Sequence, residues 1–269
     1  MTLPVDRRLS GVIAVGIALG APGWVDLASR DTEAVREFYT GLLGWRWVQR
    51  CDYAVAFADD TPVAAVFAPE SDDIPTAWTL YLECGSARRA TERVRALGGK
   101  VLVPPTETPG HEVFLIAEDP TGAVVGLWEA PENATFGWER ASALCWAELH
   151  TRDASAADPF YAELLGYRQE QIGQPGGAFD YTVWYVDEQP TLGRFEAGLT
   201  LPESTPPHWL LYFQVSQEDD TDSAIAKVRK LGGEVLREPT DSPYGRQAVV
   251  RDVVGARFAL IDTAQRTGE

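Results

Sequence analysis

The stretch "GWVDLASRDTEAVREFYTGLLGW" at residues 23–45 returns at residues 145–167 as "CWAELHTRDASAADPFYAELLGY". Without a gap, ten of the 23 positions are identical: Trp, Leu, Arg, Asp, Ala, Phe, Tyr, Leu, Leu and Gly. Later segments of the first half also recur, in the same order, in the second half. Self-similarity of this kind indicates one structural unit that is used twice. We therefore predict two homologous domains, at residues 1–135 and 136–269.

Each half divides again into two smaller units. In the first quarter a strand-like run begins at Trp24, Asp31 is a candidate helix cap, and Gly44 is a candidate helix end. In the second quarter Trp78 opens another strand-like run, and Ser86 precedes another helical pattern. Three short strand candidates follow each helix. The sequence thus predicts an α+β fold in which each domain contains two βαβββ units, with a curved mixed sheet and outer helices.

Two such units side by side leave a trough on the side of the sheet away from the helices. Because successive side chains of a strand point to opposite faces, alternation assigns residues to this trough. The predicted set is Trp24, Asp26 and Ala28; Trp78, Leu80 and Leu82; Trp146, Glu148 and His150; and Trp209, Leu211 and Phe213. The same reasoning adds Trp128, Trp184 and Arg257 to the trough walls, and it directs His208 away from the trough.

Acidic residues dominate the charge of the chain. The formal net charge is −17 and the pI is about 4.6. Such a chain repels phosphate backbones, so we exclude nucleic acid as a partner. The charge either attracts a cationic small molecule or serves only solubility.

The cysteines and the N-terminal segment indicate the cellular compartment of the protein. Three widely spaced cysteines, without a Cys/His cluster, favour a reducing cytoplasm and give no structural zinc site. The apolar run Val12–Ala21 is too short to span a membrane. It contains several glycines, and we interpret it as an extension of the first strand rather than a secretion signal. We expect no membrane association and a monomer or homodimer.

Several motifs together carry a resemblance to a known family. A strand followed by "RD", a helix with "FY", the ending "LLGW" or "LLGY", and "DPTG" at residues 119–122 resemble the vicinal oxygen chelate superfamily. That superfamily includes glyoxalase I, extradiol dioxygenases and bleomycin-resistance proteins. The resemblance covers nearly the whole chain, as two tandem glyoxalase-like domains similar to those of actinobacterial proteins. It implies a divalent metal on the trough floor, held by two histidines and a glutamate.

The chain departs from that pattern at every implied metal-binding position. Those positions fall on Trp24, Trp78 and Gly126 in the first half and on Trp146, Trp209 and Ala259 in the second. An indole nitrogen carries a proton and offers no lone pair, and divalent metals need imidazole, carboxylate or thiolate ligands. The chain has three histidines in all, His111, His150 and His208. We therefore predict no metal and no cofactor.

Indole rings at these positions suit a different ligand. A flat apolar ring stacks on an aromatic or conjugated molecule, and it also attracts a cation. The predicted ligand-binding residues are Trp24, Asp26, Trp78, Trp128, Trp146, Trp184, Trp209 and Arg257. The alternative is that these tryptophans are core residues that plug both troughs.

Glu148 and His150 are the candidate catalytic residues. They lie two apart on one strand and share a face, so the carboxylate can raise the imidazole pKa and form an acid/base pair with it. Three functions therefore stay open. The chain is a metal-independent protein that binds an aromatic or cationic natural product or antibiotic, a metal-independent lyase, isomerase or cyclase of polyketide-like metabolites, or an interaction protein with filled troughs.

Overall fold

The computed structural model describes residues 16–108, 112–198, 202 and 204–267. The first half contains β1 (Pro22–Ala28), α1 (Thr32–Leu43), β2 (Arg46–Arg50), β3 (Tyr53–Ala58), β4 (Thr61–Phe67), β5 (Ala77–Glu83), α2 (Ala87–Ala96), β6 (Lys100–Glu107), β7 (Val113–Glu118) and β8 (Val124–Glu129). The second half contains β9 (Leu144–Thr151), α3 (Ala154–Leu165), β10 (Arg168–Gly173), β11 (Asp180–Val186), β12 (Gln189–Glu196), β13 (His208–Gln214), α4 (Thr221–Lys230), β14 (Glu234–Ser242), β15 (Gly245–Arg251) and β16 (Arg257–Asp262).

The predicted fold class is confirmed. Each half forms one eight-stranded mixed sheet, in the orders β2-β3-β4-β1-β5-β8-β7-β6 and β10-β11-β12-β9-β13-β16-β15-β14. Within each sheet the two βαβββ units meet along one antiparallel pair, β1 with β5 and β9 with β13. The domain boundary between residues 135 and 136 stays a prediction.

Local signals position the helices as the sequence predicts. The Asp31 side chain accepts a hydrogen bond from the Ala34 amide at 2.9 Å, which caps α1. Gly44 ends the same helix with φ 72°, a left-handed conformation that favours glycine. Asp153 and Gly166 play the same two roles in α3.

The helix-bearing faces of the two sheets pack against each other. Trp78 of β5 contacts Phe213 of β13, with ring centroids 5.2 Å apart. The Tyr39 hydroxyl of α1 donates a hydrogen bond to Asp252 of the second half at 3.1 Å. Reciprocally, Tyr161 of α3 donates to Asp119 of the first half at 3.0 Å, which gives the halves one shared core.

The opposite face of each sheet carries no helix, and we call it the first or second open face. These faces correspond to the predicted troughs and point away from the interface between the halves.

The predicted strand extension at the N-terminus is wrong where it is described. Residues 16–21 form no strand, and β1 begins at Pro22, while residues 1–15 lie outside the described part of the chain. Across the described residues, no helix is long and apolar enough to cross a membrane.

Candidate functional site

The middle of the first open face is built by β1 and β5. The antiparallel register sets Trp24 opposite Tyr81 and Asp26 opposite Thr79. Side chains opposite each other in a sheet share a face, so these four groups lie together. On the far side of β1, Ala65 of β4 pairs with Asp26.

Asp26 is the polar centre of the first open face. Its Oδ1 atom is shielded from solvent and has no hydrogen-bond partner. Burial raises the pKa of Asp26 to about 7, while hydrogen bonds from Tyr81 and Thr79 act in the opposite direction. A carboxyl group with such a pKa exists in both protonation states near neutral pH.

Aromatic side chains share the first open face with this carboxyl group. The Trp24 ring lies 5.8 Å from Phe136, and the Tyr81 ring lies 6.0 Å from Phe114. Trp128 of β8 follows Gly126 on the same face. A side chain at position 126 would collide with the Tyr81 ring, so the ring requires glycine there. The first open face thus combines aromatic side chains with the carboxyl group of Asp26.

The second open face has a different polar centre. Glu148 accepts hydrogen bonds from the hydroxyls of Tyr181 at 2.9 Å and Tyr212 at 2.8 Å. His150 Nε2 lies 3.2 Å from the same carboxylate, as the sequence predicts for this pair. Trp146 donates its indole N–H to the Tyr181 hydroxyl at 2.9 Å. Burial acts to raise the pKa of Glu148, but the hydrogen bonds and charge of His150 bring that pKa below its usual value.

Histidines and an arginine occupy one end of the second open face. The ring centroids of His150 and His208 are 5.3 Å apart, because β13 sets these two residues opposite each other. His208 therefore lies on the open face, and the prediction that it points away is wrong. Burial lowers the pKa of His208 to about 4, and the charges of His150 and Arg257 lower it further.

Three predicted ligand-binding residues lie on the helix faces instead. Trp78 pairs with Leu27 and Trp209 with Leu149, and both partners belong to the shared core. Trp184 is fully buried and stacks on Tyr167 at 5.5 Å. The expectation that the same strands direct four more side chains into the trough is also wrong, because these side chains belong to the shared core. They are Leu80, Leu82, Leu211 and Phe213. Alternation within each strand is as predicted, but the relative phase of two paired strands depends on their register.

The open faces also contain residues that the sequence reasoning did not single out. On β5 the residues that face the open side are Thr79 and Tyr81, the neighbours of the predicted Trp78 and Leu80. On β13, Leu210 faces the open side in place of Trp209. The weak signal was the polar Thr79 inside the apolar strand "AWTLYLE". Tyr212 was not named among the trough residues, yet its hydroxyl reaches Glu148 on the open face.

The residues present do not fit the divalent metal that the resemblance implies. Of the first implied set, Trp24 and Gly126 lie on the first open face and Trp78 lies in the core. Of the second, Trp146 and Ala259 lie on the second open face and Trp209 lies in the core. Neither set offers imidazole, carboxylate or thiolate donors. Within the described ranges, no three His, Cys, Asp or Glu residues converge as a metal site. His111 lies outside those ranges.

A groove with a volume of about 770 Å³ lies elsewhere, beside α3. Its polar wall contains Arg194, which is buried and pairs with Asp158 at 2.8 Å and Asp180 at 2.7 Å. Burial opposes the charge of Arg194, but its hydrogen bonds to the carboxylates of both aspartates raise its pKa above the usual value. These charges already satisfy one another, so the groove presents a structural ion-pair cluster.

Two relatives cover almost the whole chain. The anthracycline biosynthesis proteins DauV from Streptomyces sp. (strain C5) and DnrV from Streptomyces peucetius are each 33% identical over 266 residues. Each match covers 91% of this chain and 94% of the relative. The similarity therefore includes both domains.

A solved structure and a family profile agree with the fold. The Mn(II)-bound glyoxalase from Novosphingobium aromaticivorans superposes with a TM-score of 0.63 at 14% identity, over 94% of this chain and 87% of that one. At this identity the likeness concerns the fold alone. The profile of the Glyoxalase/Bleomycin resistance protein/Dioxygenase superfamily matches residues 21–127 and 144–260. Two matched repeats, two eight-stranded sheets and full-length relatives show that the chain belongs to this superfamily.

Proposed function

We propose that this protein binds a polycyclic aromatic natural product of the anthracycline type on its first open face, without a metal. The observation that carries the proposal is that the partly exposed rings of Trp24, Phe114 and Trp128 share the first open face with the carboxyl group of Asp26. The role of the two Streptomyces relatives in anthracycline biosynthesis supports the ligand class.

Aromatic stacking supplies the affinity in this proposal. A ring pair contributes about 1 kcal/mol beyond the free energy of area burial. Trp78, Trp184 and Trp209 are buried in the core, so they do not contribute to a ligand surface. Trp24, Trp128 and Trp146 stay partly exposed, which favours a binding surface over completely filled troughs.

The net charge of −17 supports a ligand that carries a cation, such as an amino sugar. Asp26 adds a polar contact within the aromatic surface. A ligand with a flat ring system and a cationic substituent therefore matches both the local and the global features.

The second open face is a weaker candidate for chemistry. The carboxylate of Glu148 is held by three side chains, Tyr181, Tyr212 and His150. A carboxylate held by three donors, with a lowered pKa, is a poor proton acceptor at neutral pH. A catalytic role for Glu148 and His150 stays a prediction.

We also propose a cytoplasmic location. Cys51, Cys84 and Cys145 are all free thiols, which suits a reducing compartment. Burial raises the pKa of Cys84 and of Cys145 to about 12, so neither thiol is reactive.

The test is a calorimetric titration of the EDTA-treated protein with a commercial anthracycline and, separately, with its aglycone. We expect Trp24→Ala and Trp128→Ala to weaken binding about tenfold or more, which corresponds to about 1.4 kcal/mol. Trp47→Ala is the matched control, because Trp47 is a half-buried tryptophan that lies against α1 on the helix face. A weaker aglycone would show that the cation contributes.

Two results would contradict the proposal. One is binding that EDTA removes and added Mn(II), Zn(II) or Fe(II) restores. The other is unchanged affinity in Trp24→Ala together with a loss in Trp146→Ala, which would move the site to the second open face.

A further inference from the structure

We propose that the second open face binds a small aromatic carboxylate, and that Arg257 holds its anionic group. This site is separate from the surface proposed for the anthracycline on the first open face, and its ligand has the opposite charge. The site lies at the end of the second open face where β9 ends and where β13 and β16 begin.

Basic side chains from three strands converge at this end of the face. His208 of β13 lies opposite His150 of β9, with ring centroids 5.3 Å apart. Arg257 of β16 shares their face, because it lies two residues before Ala259, which pairs with Tyr212. The charge of Arg257 acts on His208, so the guanidinium group lies near that imidazole ring. We call His150, His208 and Arg257 the basic patch.

Arg257 lacks a counter-charge. Within the described part of the chain, its half-buried guanidinium group makes no hydrogen bond and no ion pair. Across the sheet it pairs with Arg251, whose charge is already balanced by Glu234 at 3.1 Å. Burial and the charge of Arg251 both lower the pKa of Arg257. A partly buried cation in this situation is unfavourable, and a ligand carboxylate would compensate it.

The first half builds the same end of its open face without any charge. At the positions that correspond to the basic patch in the internal repeat, it carries small or apolar side chains. These are Ala28 for His150, Ala77 for His208 and Val124 for Arg257. The fold therefore does not require cations at this end, and their convergence in the second half alone points to a ligand.

Exposed aromatic rings beside the basic patch favour an aromatic acid. The Phe195 ring of β12 lies 5.4 Å from the His150 ring, and Phe179, which is 52% exposed, lies 6.2 Å from Phe195. Neighbouring strands are about 4.8 Å apart, so β12 and β16 are separated by about 14 Å across β9 and β13. A bicyclic aromatic acid stacked on Phe195 and the long side chain of Arg257 together span this distance. A planar guanidinium group binds a carboxylate through two parallel hydrogen bonds.

The test is a calorimetric titration of the EDTA-treated protein with 2-naphthoate and, separately, with the uncharged 2-naphthamide. We expect saturable binding of naphthoate and at least tenfold weaker binding of naphthamide. Arg257→Val introduces the residue that the first half carries at this position, and it should weaken naphthoate binding about tenfold or more. Arg246→Val is the matched control, because Arg246 lies on β15 but pairs with Asp222 of α4 at 2.7 Å, and the naphthoate affinity should not change.

Proton NMR locates the bound probe, since the chain has only three histidines. Naphthoate should shift the ring signals of His150 and His208, which His150→Ala and His208→Ala assign. Circular dichroism checks the folding of Arg257→Val. Arg257→Lys is the second variant, because lysine retains the charge without the planar fork, and its naphthoate affinity should be intermediate.

Three results would overturn the inference. They are the absence of naphthoate binding to the wild type at millimolar concentration, equal affinities for naphthoate and naphthamide, and an unchanged naphthoate affinity in Arg257→Val. Ring signals of His150 and His208 that do not move at saturation also overturn it. Because Arg257 and Trp24 lie on different open faces, the anthracycline and naphthoate titrations fail independently.

Discussion

Substitution of the buried carboxyl group at Asp26 by an amide should stabilise the protein at alkaline pH. The pKa of Asp26 rises from an ordinary 3.8 to about 7 because the folded protein buries the charge. The unfolded chain therefore releases this proton near pH 4, whereas the folded chain keeps it until about pH 7. Between these values the folded state binds more protons, so its stability falls as the pH rises and levels off above 7.

The magnitude follows from the two pKa values. The difference between 3.8 and about 7 corresponds to about 4 kcal/mol of lost stability at pH 8. Asp26→Asn cannot ionise and avoids this loss. We expect its free energy of unfolding to exceed that of the wild type by about 2–4 kcal/mol at pH 8, and to match it near pH 4.

Urea unfolding of both proteins at pH 4, 6 and 8, followed by circular dichroism, measures the difference directly. Glu148→Gln is the informative comparison, because the pKa of Glu148 is shifted in the opposite direction. Burial alone would raise this pKa, but the hydrogen bond and charge of His150 outweigh burial and bring the pKa below its usual value. That variant should lose about 1–3 kcal/mol at pH 7, and the loss should shrink as the pH falls. An Asp26→Asn protein that is no more stable than wild type at pH 8 would refute the reasoning about Asp26.

Two further substitutions test the contacts that hold the halves and the second sheet together. Tyr39→Phe removes the hydrogen bond to the buried Asp252, and we expect urea unfolding at pH 7 to show a loss of about 1–3 kcal/mol; an unchanged midpoint would show that the bond is not stabilising. Arg194→Met leaves Asp158 and Asp180 without their shared partner, and the same assay should show a loss of about 3–5 kcal/mol. Stability within 1 kcal/mol of wild type would argue that the three charges are not buried together in solution.

The reciprocal contacts between the halves explain why the repeat retains certain residues. The tyrosine of each "FY" pair, Tyr39 or Tyr161, donates to an aspartate in a turn of the other half. Both aspartates have pKa values raised by burial. The residues of the family resemblance therefore act in part as a structural clamp between the domains, which is independent of any metal chemistry.

The sequence by itself determined the units of this fold. Helix caps such as Asp31 and Ser86, and the left-handed glycine at Gly44, depend on a few neighbouring residues, so they are visible in the chain. The internal repeat is likewise visible in the chain itself, and it determined the number of domains. Alternation along β1 also sufficed to place Trp24 and Asp26 on one face.

Only the tertiary structure decided which face each paired strand presents and what its polar groups contact. Trp78 and Trp209 moved to the core because strand register, set by long-range pairing, shifts a whole strand's side chains between faces. The contrast between Asp26 and Glu148 was likewise invisible, since the partners of a buried carboxyl group come from other strands. Helix caps and strand alternation depend on residues close in sequence, whereas the protonation and exposure of a side chain depend on neighbours that only folding brings together.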